Sequence, residues 1–236
     1  MTRFKSILFI LFVVFTLLGV NLYSTPAVCG YNGELTMPVA NTFGAGALWL
    51  GGHFVTGDPS FLVNLGLGIT EEFEISGAFD ADDHPMSPFF HMGAKYAYYN
   101  SREAGSAIGV TFQLATGSPS DNSFTVYHVI SEGLRGFQYS LGLGYTFGND
   151  SNINYWMGLS KELFGIKNLW FETDFSNFPY RAWGANFANV SRGVVNMGIR
   201  VYLFDRTVRV DFASLDVLDT NREYTIGANI LLSSIL

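Results

Sequence analysis

Two groups of side chains in this sequence have the types and spacing for chemistry. Asp80, Asp82, Asp83 and His84 crowd together just before Pro85, and carboxylate oxygens so placed suit a divalent cation. His128 and Ser131 stand three residues apart in "VYHVIS", a base and a hydroxyl such as acyl hydrolysis uses. Neither group is completed by the rest of the chain. There is no G-x-x-x-x-G-K-[ST] phosphate loop, no H-E-x-x-H zinc motif and no G-x-S-x-G nucleophile elbow. "GAGALWLGG" (Gly44 to Gly52) misses the dinucleotide spacing, and its glycines suit strand entry and curvature. Cys29 is the only cysteine, which excludes a disulfide framework and a Cys-based zinc site. The acidic run therefore reads as an exposed loop. His53, His84, His91 and His128 read as loop or interfacial polar groups. The expectation is no catalytic residue, no metal, no cofactor and no enzyme activity.

The elements that position these residues repeat with period two. In "FQYSLGLGYTF", Phe137, Tyr139, Leu141, Leu143, Tyr145 and Phe147 alternate with Gln138, Ser140, Gly142, Gly144 and Thr146. The same alternation recurs along the chain and marks strands rather than helices. It predicts twelve, at 45–55, 61–70, 72–80, 90–99, 106–115, 123–130, 137–147, 152–160, 168–177, 193–204, 207–214 and 223–232. Many approach the length of a tilted membrane strand, about 9–11 residues. On a regular strand, His128 and Ser131 fall on opposite faces.

The composition decides which face is inside. Apolar residues make up 48% and aromatics 16%, while charged residues are only 14%, well below the roughly 25% of soluble domains. The small, polar face lacks the Lys and Glu that hydrate a soluble surface. The large face therefore turns to lipid and the small one to a lumen, in a closed antiparallel barrel whose backbone groups are all paired. Tyr96, Tyr98, Tyr139, Tyr145, Tyr155 and Tyr224 lie near predicted strand ends, where aromatic girdles sit. Short connections at Thr70–Glu72 and Phe204–Thr207, against a long one from Phe178 to Arg192, fit periplasmic turns and outer loops. Alternation then points Glu72, Glu74, Lys95, Glu172, Asp174, Arg200, Arg209 and Asp211 into the lumen. Such charges need water or partners. Inward Gly and Ser leave room, whereas inward Trp49, Trp156 and Trp170 take it away.

Residues 1–30 read as a secretory signal peptide: Arg3 and Lys5, an apolar run from Ile7 to Val20, then small residues from Ala27 to Gly30. Residues 31–236 form the barrel domain. Losing the signal removes two bases and no acid, so the net charge falls from −7 to −9. That disfavours nucleic acid as a partner and leaves outer-membrane lipid and small polar solutes. The location implied is a bacterial outer membrane.

"NGELTMPVANTFGAGALWLGGHF" (Asn32 to Phe54) resembles the opening of bacterial outer-membrane barrels associated with exopolysaccharide export, through Gly33, Pro38, Ala40, Gly44 and Gly46. "LGLGITEEFEISGAF" (Leu65 to Phe79) looks like the next hairpin of many such barrels. The leading functional expectation is a narrow porin-like channel for small polar solutes. The resemblance implies an alternative, a structural or accessory barrel for envelope polymer export. A lipid-acting enzyme is the remote third.

Overall fold

The computed structural model describes residues 26–28, 30, 32–56, 59–82, 89–101, 103–115, 122–134, 136–148, 151–177, 193–219 and 222–233. Twelve strands form its wall: β1 (Ala47–Val55), β2 (Ser60–Gly68), β3 (Phe73–Asp82), β4 (Phe89–Asn100), β5 (Ala104–Ala115), β6 (Ser123–Leu134), β7 (Phe137–Phe147), β8 (Asn152–Glu162), β9 (Leu169–Ser176), β10 (Val194–Leu203), β11 (Val208–Leu215) and β12 (Glu223–Ser233). Each pairs antiparallel with its sequence neighbours, and β1 closes on β12. Closure leaves no open edge, so the wall satisfies its own backbone groups in lipid.

The register turns the two faces as their chemistry requires. In β7, Leu141, Leu143, Tyr145 and Phe147 are exposed on the outside, while Gln138 and Ser140 are buried within. Gly142 lies on the inner face under the indole of Trp156 from β8, with no room for a Cβ. The outer belt continues through Ile153, Tyr155 and Met157 on β8 and Tyr224, Ile226 and Ile230 on β12. Leu143 and Ile153 are each 59% exposed, an arrangement that only a lipid surround makes favourable. This is a membrane-embedded barrel of the outer-membrane type.

One end of the barrel carries the wall's first and last residues and the connections 69–72, 163–168 and 204–207. These are the short turns that face the periplasm in such barrels. One of them is the turn from β10 to β11. There the Thr207 amide donates to the Phe204 carbonyl at 3.0 Å, and Asp205 and Arg206 between them take φ of 50° and 71°. That left-handed pair matches the right-handed twist of the strands it joins. The expected long loop from Phe178 to Arg192 lies outside the described residues, as do Asp83 and His84.

Candidate functional site

The lumen is occupied by the chain itself. From Pro26 to Phe43 every described residue is buried inside the wall. Bridges between Pro26 and Asn32 and between Gly33 and Pro38 fold this stretch into compact turns. A Cβ at residue 33 would strike the Met37 carbonyl, so the second turn requires glycine. The wall holds the segment largely through its main chain. The Thr36 amide donates to Asp174 Oδ2 at 2.6 Å, and the Ala40 amide to Ser131 Oγ at 2.9 Å. Trp156 Nε1 donates to the Pro38 carbonyl at 3.1 Å. One apolar patch joins in, where Met37 and Ala40 pack with Tyr127, Val129 and Trp156.

Two sets of charges face each other across this segment. On β3 and β4, Lys95 Nζ lies 3.0 Å from Glu74 Oε1. The ammonium also donates to the carbonyls of Val39 (2.8 Å), Asn41 (2.6 Å) and Asn32 (3.4 Å). Glu74 in turn accepts from the amides of Asn32 (3.2 Å) and Phe43 (3.0 Å). On β9 to β11, Arg200 reaches Glu172 Oε1 at 2.6 Å and Asp211 Oδ1 at 2.8 Å. Its Nη2 donates to the Glu34 carbonyl at 3.2 Å. Arg209 pairs with Asp211 and donates to the Pro26 carbonyl. The Glu34 carboxylate lies beside this network, and Ser140 Oγ donates to its Oε1 at 2.9 Å. Gly158 leaves the space that this carboxylate fills.

Of the eight charges placed inside by alternation, Glu74, Lys95, Glu172, Asp174, Arg200, Arg209 and Asp211 are buried facing the lumen. Glu72 is a correction: it is exposed, in the turn before β3. Thr70 Oγ1 accepts from the amides of Glu72 and Phe73, each at 3.1 Å, and so draws Glu72 out of the strand. Trp49, Trp156 and Trp170 are buried inward. His53 and His91, expected near strand ends as interfacial or loop groups, are also buried in the lumen. Asp80 lies inward on β3. His128 faces outward and stacks on Tyr98, whose hydroxyl lies 2.6 Å from Nε2, while Ser131 faces inward. The wall therefore separates that base from that hydroxyl. Among the described residues, no group of three or more His, Cys, Asp or Glu side chains is placed to hold a metal. Sequence reading passed over Glu34, Asn32, Thr36 and Asn41, all buried in the lumen.

The fold has close counterparts among solved structures. A KdgM porin superposes with a TM-score of 0.58 at 10% identity, over 78% of this chain and 98% of that one. The same porin in complex with disordered oligogalacturonate gives 0.59, also at 10% identity and with the same coverage. A NanC porin gives 0.55 at 11% identity, again over 78% and 98% of the two chains. The barrel has the fold of bacterial outer-membrane porins. No protein-family model matches the sequence, and no curated protein matches it. The resemblance to exopolysaccharide-export barrels thus finds no support. Of the residues that carried it, Gly33, Pro38 and Ala40 lie ahead of the first strand, in the lumenal segment.

Proposed function

We propose that this protein is a narrow outer-membrane channel for small polar solutes, closed at rest by its own residues 32–43. The observation that supports this most is how the segment is held. Lys95, Arg200, Asp174 and Ser131 grip it by hydrogen bonds to its backbone. Water or a polar solute can replace such bonds one for one at modest net cost. With the segment displaced, the same side chains line a hydrated path between the two ends of the barrel. The porin fold at 10% identity supplies the architecture alone; the solute reading rests on the lumen's own chemistry.

Residues 1–30 serve in this reading as the export signal, with the mature chain beginning between Val28 and Tyr31. Cleavage there removes Pro26 and frees Arg209 from its carbonyl, which loosens the inner end of the segment. N-terminal sequencing of the protein from outer-membrane fractions checks this; retention of Met1 would refute it.

The channel is tested with a reversible lock. Ala40→Cys and Ser131→Cys, with Cys29→Ser, place two thiols where the segment meets β6. In planar bilayers the oxidised protein is expected to stay closed, and the reduced one to show conductance steps and to pass small sugars in liposome swelling. Equal behaviour in both states, or no flux in either, would reject a channel gated by this segment.

A further inference from the structure

We propose that the periplasmic half of the lumen contains a site for one monovalent cation of about water's size, held between Glu34 and Glu172. This deepens the channel reading by naming the charge class of the solute.

The site is a recess of about 280 Å³, counting solvent at its mouth, between the lumenal segment and β7 to β10. Glu34, Glu172, Arg200, Gln138, Ser160 and Trp170 are among the residues that line it. Two carboxylate oxygens in it lack hydrogen-bond partners, Glu34 Oε2 and Glu172 Oε2. Both side chains are almost wholly buried, at 1% and 2% exposure. A buried carboxylate oxygen without a donor is costly, and each of these already uses its other oxygen, on Ser140 and on Arg200.

The surrounding charge points the same way. Among the described residues, Glu34, Glu172, Asp174 and Asp211 share this part of the lumen with two arginines, Arg200 and Arg209, and with His53 beside Asp211. Lys95 is committed to Glu74 and three backbone carbonyls on the opposite wall. The network is therefore short of positive charge where the two free oxygens lie. Its innermost space holds about one water-sized group. That suits potassium, rubidium or ammonium.

The test needs no conduction, so its failure and the failure of the channel reading are separable. The purified full chain in micelles is melted in rubidium, ammonium or tetramethylammonium chloride at equal ionic strength. The first two are expected to raise the melting temperature by a few degrees over the third, which is too large to enter. Crystals grown with rubidium should give an anomalous peak within bonding distance of Glu34 Oε2 and Glu172 Oε2. Glu34→Gln and Glu172→Gln should each abolish both signals. A response to rubidium alone identifies an alkali-ion site, and a response to both identifies one open to ammonium solutes. Equal melting in all three salts, with no peak in the wild-type crystal, overturns the site even if the Gln variants fail to fold.

Discussion

The lumenal segment is clasped from opposite walls, and the two clasps are built on different principles. On β3 and β4 the clasp is one acid and one base, Glu74 and Lys95, each with further hydrogen bonds to the segment's backbone. On β9 to β11 it is a branched network in which Arg200 serves two acids and Asp211 serves two bases. The first is balanced and closed to anything else. The second, counted with Asp174 and the segment's Glu34 beside it, carries excess negative charge and leaves carboxylate oxygens free beside a recess. Balanced pairing fixes a segment in place, whereas imbalance leaves a position that another ion can complete.

Breaking the balanced pair should have the larger effect. Lys95→Ala strands Glu74 in a dry lumen and takes the donor from three carbonyls. Removing one partner of a buried pair costs about 3–5 kcal/mol. Unfolding titrations of the reconstituted barrel are expected to show a loss of that size, with more frequent channel openings in bilayers. A loss under about 1 kcal/mol, within the range of a solvent-exposed pair, would show that this clasp is already wet. The outer surface calibrates the scale. Leu141→Arg, on the lipid face of β7, should cost about 2–4 kcal/mol without altering openings. Equal quenching by lipid probes at single cysteines placed at 141, 142, 143 and 144 would reject the inward and outward assignment itself.

Arg200→Ala should cost less than Lys95→Ala, because the network shares its charges. Asp211 keeps Arg209, so the main loss is the charged hydrogen bond to Glu172, about 1.5–3 kcal/mol. Ion selectivity should move toward cations, since acids then dominate the constriction. A stability loss with unchanged reversal potential would make this network a brace and not a lining.

This contrast also marks where the sequence was legible. The strands could be read because most carry their own period-two signal, 45–55 and 123–130 being mixed, and the facing of Lys95, Glu172 and Arg200 follows from parity alone. Glu72 misled because parity cannot see the Thr70 hydroxyl that ends the alternation one residue sooner. The lumenal segment carries only a short one, Leu35, Met37 and Val39 against Glu34 and Thr36, interrupted by Pro38. Its structure depends on contacts as distant as Thr36 with Asp174, 138 residues apart in the chain. Its composition, with Gly33 and Pro38 among mixed polar and apolar residues, reads equally as a linker into the first strand. Glu34 was therefore invisible as a site residue, although a lone acid between turn-forming residues was the one feature of that stretch without a structural use.

The finest test separates the two clasps at a single hydroxyl. Ser140→Ala removes the donor to Glu34 Oε1 and touches neither Arg200 nor Lys95. The loss should be about 1 kcal/mol, near the net worth of one hydrogen bond. If a cation sits between Glu34 and Glu172, it can take over the abandoned oxygen. The loss should then shrink in rubidium and persist in tetramethylammonium. Without a cation, a second oxygen is stranded in a dry recess, and the loss should be the same in both salts. On the opposite wall no salt should rescue Lys95→Ala to the same degree, because the ammonium there bonds three carbonyls from one atom. A salt-independent Ser140→Ala beside a salt-rescued Lys95→Ala would reverse the assignment, making the balanced pair the ion site and the branched network the clasp.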